Sequence, residues 1–332
     1  MNHRYENLVF IALGGNAFQT KGDVGTPEDY WRNAYAAART IVKVVKEGYK
    51  VVVTHGNGPQ VGIISEWMEN LRHKVPSQTL DIAGAMSQGW LGYLLIQAIH
   101  NTLAEEGLLG KVRGAVAIVN RVVVLRDDPA WSNPTKFIGG WYTDESDVDK
   151  LSKEKGWIFK RDPRGGWRRV VPSPDPYKNV EAEAVRTLLR EGWIVIASGG
   201  GGIPVVEEAN GRLLGVEAVI DKDLAGEVLA TELAAGHFII LTDVEGVYLD
   251  YDKDRKHKLN VITLSELKQY YERGLFPPGS MGPKVLACIR FLEHGGLRAA
   301  IGHLLEGYEV IKGAKGTQIL PDQHWHNIKT NK

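Results

Sequence analysis

Short apolar runs of strand length alternate with longer stretches of helical period over the first two-thirds of the chain. Leu8–Leu13, Val51–Thr54 and Ile194–Ala197 are such runs, and each leads straight into a glycine-rich turn. The turns are Gly14-Gly15-Asn16, His55-Gly56-Asn57-Gly58 and Ser198-Gly199-Gly200-Gly201-Gly202. After the first turn, Thr26-Pro27-Glu28-Asp29 reads as a helix start. Thr26 is the N-cap, Pro27 takes the first helical position, and the two acids complement the helix dipole. That helix is expected to run to about Glu47 and stop at Gly48, with a strand over Lys50–Thr54. Pro59–Leu71 and Ala83–Leu103 predict further helices, and Ala115–Val119 a further strand. This alternation predicts an α/β fold whose mostly parallel sheet is covered on both faces.

Asn133 to Pro176 breaks the rhythm. It holds Trp141, Trp157 and Trp167 and the turn-forming Asp162-Pro163-Arg164-Gly165-Gly166 and Pro172-Ser173-Pro174-Asp175-Pro176. A surface insertion without consequence is one reading. A lid or protruding subdomain over about 121–176 is the other, because long insertions that keep aromatic residues usually fold against something. A helix near Val180–Glu191 then restores the alternation. A second lobe is expected from about Val216, with helices at Asp221–Leu233, Leu264–Arg273 and Met281–Glu293. Its strands are placed at Phe238–Val244, Ala299–His303 and Thr317–Leu320. The organisation read from this is an N-terminal lobe over 1–215, a C-terminal lobe over 216–322 and a tail over 323–332.

Composition narrows the functional classes. With 332 residues the chain can bury a substantial core in one large α/β domain or two lobes. Lys+Arg and Asp+Glu both number 40, which argues against nucleic acid as a partner, since phosphate contacts call for a basic surplus. No apolar run approaches the roughly 20 residues needed to span a membrane. Met1–Asn7 is polar and unlike a signal peptide, so a cytoplasmic location is expected. The single cysteine, Cys288, allows no intramolecular disulfide and lies in the apolar segment Val285–Leu292, where a buried structural thiol is expected.

Turned backbone N–H groups cradle anions, and glycine lets the backbone come close to a ligand. One such loop means little; three at strand ends point to a site that holds phosphates. Phosphoryl transfer needs positioning and positive charge more than covalent help. Three lysines adjoin turns or helix starts where an anion would sit: Lys136 in Asn133-Pro134-Thr135-Lys136, Lys222 in Asp221-Lys222-Asp223, and Lys284 in Gly279-Ser280-Met281-Gly282-Pro283-Lys284. Solvated surface charge is the competing reading for each. Asp221 and Asp223 serve either as helix-start acids or, for Asp223, as a residue that positions the lysines or assists a metal. His55 and His303 lack metal-ligand spacing and read as structural or as supports behind site residues. The chain has neither a Gly-x-x-x-x-Gly-Lys-Ser/Thr loop nor a Gly-x-Gly-x-x-Gly after its first strand, which excludes a P-loop and weakens a dinucleotide site.

In combination these segments resemble the carbamate kinases of the amino-acid kinase family, archaeal-type in particular. The resemblance is carried by Ala12-Leu13-Gly14-Gly15-Asn16-Ala17, Thr54-His55-Gly56-Asn57-Gly58-Pro59-Gln60-Val61-Gly62 and Ala83-Gly84-Ala85-Met86-Ser87-Gln88-Gly89. Val170–Pro176, Ala197–Gly202, Val219–Ala225, Leu241–Val244 and Gly279–Val285 continue it in order, from about Leu8 to Pro321. It implies an open αβα sandwich in two lobes, usually a homodimer. The implied activity is reversible phosphoryl transfer between ATP and carbamate, giving ADP and carbamoyl phosphate, with Mg²⁺.

By the same resemblance Gly14, Gly15 and Asn16 meet the transferring group, and Gly56, Asn57 and Gly58 the carbamate side. Ser198, Gly199 and Gly200 join them in binding phosphate or substrate. Lys136 reaches in from the subdomain, Lys222 and Lys284 neutralise nucleotide phosphates, and Asp223 orients them. Asp243, Gly246, Val247 and Tyr248, with Ser280, Met281 and Gly282, border the nucleotide in the C-terminal lobe. Many amino-acid kinases carry a lysine on the first strand, whereas Leu8–Leu13 has none. That absence is what assigns Lys136 its role. No general base is expected, because carbamate is already anionic.

Overall fold

The structure is a computed structural model that describes residues 5–14, 17–20, 22–162, 165–249 and 257–323. The expected elements form where the patterns place them. The first long helix, α1 (Pro27–Lys46), begins with Thr26 as N-cap, and Thr26 and Asp29 each bond the other's backbone N–H in a capping box. Next come α2 (Gly58–Asn70) and the long α3 (Leu80–Glu105). Then follow α4 (Glu145–Lys155), α5 (Ala182–Arg190), α6 (Lys222–Glu232), α7 (Leu264–Glu272), α8 (Met281–Glu293) and the short α9 (Gly307–Ile311).

The central sheet has eight strands. From one edge they are Val261–Thr263, Thr317–Leu320, Arg298–His303, Ala235–Thr242, Tyr5–Leu13, Lys50–His55, Ile194–Ile196 and Ala115–Ala117. All neighbours are parallel except Arg298–His303 with Thr317–Leu320. Side chains alternate along the first strand. Leu8, Phe10 and Ala12 enter a core beneath α5, α6, α7 and α8, while Val9, Ile11 and Leu13 enter a second core beneath α1, α3 and α9. Both faces are therefore buried, as a parallel sheet requires. Cys288 lies fully buried in the first core, and burial raises its thiol pKa well above the ordinary value.

The segment that breaks the rhythm folds into its own three-stranded antiparallel sheet. Lys136–Tyr142 pairs with Trp167–Val171, which pairs with Ile158–Arg161, and α4 lies beside them. A small core of Val61, Ile64, Leu80 and Ala83 with Ile138 and Val171 joins this unit to α2 and α3. A second mixed sheet, Leu213–Gly215, Ile203–Glu207, Arg121–Val124 and Pro176–Asn179, lies at its root. Among the described residues no helix is long and apolar enough to cross a membrane.

Candidate active site

Parallel strands gather their following loops at one edge of the sheet, where α/β proteins bind ligands. The Gly14 N–H donates to the Leu241 carbonyl at 2.7 Å, and the Gly56 N–H to the Leu13 carbonyl at 3.0 Å. These bonds tie the loops after three neighbouring strands together. The turn at Ser198–Gly202 closes the group. Gly200 has φ +67° and a side chain there would lie 2.0 Å from the Asn57 amide, so glycine is required twice over. Gly201 abuts the Ile220 carbonyl, which a Cβ would approach to 2.4 Å.

This turn is held from behind. Ser198 adopts a left-handed conformation (φ 56°), costly for a non-glycine residue. Its N–H donates to Asn120 Oδ1 at 2.8 Å, and its carbonyl accepts from Thr54 Oγ1 at 2.7 Å. Buried Asn120 also exchanges amide bonds with Asn179 and donates to Glu181, while Gln88 Nε2 bonds both the Asn120 and Gly199 carbonyls. Asn57 Nδ2 donates to Ser87 Oγ at 2.7 Å.

His55 beneath the turn is buried, which lowers its pKa to about 4 and keeps the ring neutral at physiological pH. Nδ1 lies 3.1 Å from the Gly56 carbonyl, which can only accept. The proton therefore sits on Nδ1. His55 packs beneath the turn, against Gly199, as a neutral ring.

Charge converges on the start of α6. Asp221 is its N-cap: Oδ1 accepts from the Asp223 and Leu224 N–H groups, and Oδ2 accepts from Lys136 Nζ at 3.0 Å. Asp223 holds the other two lysines, with Lys222 Nζ 2.5 Å from Oδ1 and Lys284 Nζ 3.0 Å from Oδ2. Burial raises the Asp223 pKa, but the two ammonium groups outweigh it and hold the carboxyl well below the usual range. Burial lowers the Lys222 pKa, only partly offset by Asp223. Burial also works against Lys284, yet the attraction of Asp223, Asp221 and Asp243 prevails and raises its pKa. The two lysines shift in opposite directions although they share a carboxylate, because Lys222 is the more deeply buried and also feels repulsion from Lys284. Three ammonium groups thus bond two carboxylates, and Asp243 adds its attraction at Lys284.

The structure brings Lys136, Lys222, Asp223 and Lys284 into one cluster and places Gly14, Gly56, Asn57, Gly58, Ser198, Gly199 and Gly200 at strand ends beside it. Gly15 and Asn16 lie outside the described residues. The residues expected to border nucleotide are more dispersed. Val247 is fully buried in the core, and its N–H donates to Thr317 Oγ1 at 2.8 Å. A Cβ at Gly246 would meet Thr317 Oγ1 at 2.7 Å. Asp243 accepts from Thr242 Oγ1, and Tyr248 donates to Glu245. Ser280, Met281 and Gly282 open α8, the helix that carries Lys284.

Sequence reasoning did not single out Asn120 or Gln88, whose parts in the turn depend on partners dozens of residues away. The sequence marks Asp221 only as a helix-start acid, and its bond to Lys136, 85 positions away, has no local signal. Among the described residues no group of three or more His, Cys, Asp or Glu side chains is arranged to hold a metal ion.

Comparison with known proteins follows the same line. A profile of the amino acid kinase family matches residues 7–303. The carbamate kinase of Pyrococcus horikoshii is 52% identical over 315 residues, covering 94% of this chain and 99% of that protein. The carbamate kinase of Thermococcus kodakarensis is 50% identical over 315 residues, covering 94% and 98%. Among solved structures, carbamate kinase from Giardia lamblia bound to AMP-PNP superposes with a TM-score of 0.87 at 39% identity, covering 95% of this chain and 99% of that one. The chain belongs to the carbamate kinases of the amino acid kinase family.

Proposed function

We propose that this chain catalyses reversible phosphoryl transfer between ATP and carbamate, giving ADP and carbamoyl phosphate. The observation that carries the reading is the cluster in which Asp221 and Asp223 position Lys136, Lys222 and Lys284 beside three glycine-bearing loops. Incoming phosphate oxygens compete with these carboxylates for the three ammonium groups and draw the lysines towards themselves. Lys222 and Lys284 serve the nucleotide phosphates, and Lys136 serves the transferring group from the other side. Backbone N–H groups at Gly199 and Gly200 supply the remaining donors. Carbamate carries its own negative charge, so no base is needed to activate it.

Magnitudes support closure of the subdomain as a step. A ligand of about four heavy atoms gains at best about −6 kcal/mol, which corresponds to tens of micromolar. Contacts to carbamate alone therefore order little, and the nucleotide together with movement of the subdomain completes the site.

Mg²⁺ enters this reading on the nucleotide. Asp221 and Asp223 are hard oxygen donors, but both are engaged by lysines, so phosphate oxygens and water would make up most of its coordination. When bound, the ion would supply charge neutralisation to the phosphoryl oxygens during transfer.

The two-lobed division at about 215 and the subdomain over about 121–176 belong to the same proposal, as does a cytoplasmic location. A homodimer is supported by Trp67 and Leu71 at the end of α2, Val75 after it, and Ile82, Met86 and Tyr93 on α3. These large apolar residues are each 40–59% exposed and form a patch of the kind that marks an interface.

The experiment is ATP formation from ADP, Mg²⁺ and carbamoyl phosphate, followed by luminescence, with acetyl phosphate as control donor. ATP from carbamoyl phosphate at a much higher rate than from acetyl phosphate is expected. ADP binding without ATP formation would overturn the reading and point to another acid substrate or to a non-catalytic nucleotide binder.

A further inference from the structure

Away from the lysine cluster, a cavity of about 420 Å³ separates the three-stranded subdomain from the body of the molecule. Its size falls in the ~300–1,000 Å³ range of small-molecule sites. The subdomain side contributes Lys155, Trp157 and Arg169, and the body contributes Glu69 from α2, Thr79 and Leu80 at the start of α3, and Glu217. None of the six residues of the apolar patch lines it.

Four ionic groups line the cavity, and their charges balance; behind them Arg72 bonds Glu69 Oε1 at 3.1 Å and is itself paired with Glu154. Arg169 Nη2 donates to Glu217 Oε2 at 3.0 Å, and Lys155 pairs with Glu69. Both cations also lie against one indole, with Arg169 Cζ 4.1 Å and Lys155 Nζ 4.6 Å from the Trp157 ring centre. Trp157 thus fixes the two cations as a pair. Glu217 is fixed on its other oxygen by the Leu80 N–H at 2.7 Å. Hydrogen-bonding capacity remains. Among the described residues Arg169 uses one of its N–H groups in a hydrogen bond, and Lys155 Nζ has one acceptor. Burial lowers the Arg169 pKa despite Glu217, so a further anionic partner would be welcome there.

We propose that this cavity is a second binding site, taking a small zwitterion of the α-amino-acid class between the Lys155–Arg169 pair and the Glu69–Glu217 pair. The ligand carboxylate takes the unused donors of Arg169 and Lys155, and its ammonium group takes the second lone pairs of Glu69 and Glu217 oxygens that each already accept one bond. A purely anionic ligand would face both glutamates, and a purely cationic one would face both basic groups. Only a ligand carrying both charges meets the walls without repulsion.

Such a ligand bridges the subdomain to the body. Arg169 pairs in register with Ile138, and Val171 with Lys136, on the same two-stranded ladder. The occupied cavity therefore restrains the strand that begins with Lys136, and this second consequence rests on the proposed catalytic role of Lys136.

Calorimetric titration of the full chain with each common L-amino acid tests the site without reference to activity. Glutarate and propylamine serve as singly signed controls. At least one amino acid is expected to bind one per chain. Arg169→Gln and Glu217→Gln should each weaken it by about 10-fold or more, as loss of a charged hydrogen bond implies, and leave ADP binding unchanged. If no amino acid binds at millimolar concentration, the site does not exist as described. Equal binding of a singly signed control, or unaltered binding in both folded variants, would equally overturn it. Should either variant fail to fold, Trp157→Leu gives the same reading through the lost cation pair. ATP formation measured with the bound amino acid then reports the coupling to Lys136 separately.

Discussion

At the residue scale, the account turns on two aspartates two positions apart. Asp221 caps α6 with one oxygen and holds Lys136 with the other, while Asp223 holds Lys222 and Lys284. Asp223→Asn leaves two buried ammonium groups without their counter-charge. It is expected to cost about 3–5 kcal/mol in chemical denaturation, the range for breaking a buried pair. Saturating ADP should restore part of that loss, since phosphates replace the carboxylate. Three other groups set the pH dependence. Burial lowers His55 and His237 to about 4 and raises Glu232 to about 7. The histidines contribute stability that is complete above their ordinary 6.5 and is lost as pH falls toward 4, where the unfolded chain binds protons the fold refuses. Glu232 acts oppositely: its contribution is complete below its ordinary 4.5 and is lost as pH rises through 7. Glu232→Gln should therefore expose the histidine slope. Denaturation midpoints should climb more steeply between pH 5 and 8 in the variant than in the wild type, and equal slopes would contradict this. The lysines and Asp223 were legible in the sequence because each adjoins a turn or a helix start. Asn120 was not, because its amide works on Ser198 and Asn179, far along the chain.

At the scale of elements, periodicity told most. Thr26-Pro27 and the acids after it announced α1, and the apolar runs before glycine turns announced the core strands, since both signals are local. The strands of the 121–179 region were not individually legible. Lys136–Tyr142 includes Gly139 and Gly140 and is mostly half-exposed, so it shows neither an apolar run nor a clean alternation. Its pairing with Trp167–Val171, across the 24 positions between the two strands, is settled by tertiary contact. The Ser198–Gly202 turn shows the converse, with its glycines visible in sequence but their reason visible only in three dimensions. Gly200→Ala would drive a methyl group into the Asn57 amide at a backbone angle that disfavours it. Loss of at least about 10²-fold in ATP formation is expected, on the scale of losing one transition-state donor. Activity within a few-fold of wild type would show that the turn adapts without consequence.

At the scale of the whole molecule, the sheet order brings loops from both halves of the chain to one edge. The Ala235–Thr242 and Tyr5–Leu13 strands are neighbours although more than two hundred residues separate them. The alternation of strands and helices predicted the parallel sheet, but not this order, which depends on which faces the helices cover. The apolar patch on α2 and α3 is the corresponding feature of the exterior. Met86→Glu combined with Tyr93→Glu should convert a dimer to a monomer in analytical ultracentrifugation, and an unchanged mass would remove the patch from the proposed interface. The central claim is that three lysines, held by two aspartates, stabilise the phosphoryl group in flight. Its most direct test is single-turnover transfer from carbamoyl phosphate to ADP in Lys136→Ala and Lys222→Ala, each compared with the wild type at saturating ADP. The account predicts a fall of roughly 10²–10³ in the transfer rate of both folded variants. A loss of ten-fold or less in both would contradict it.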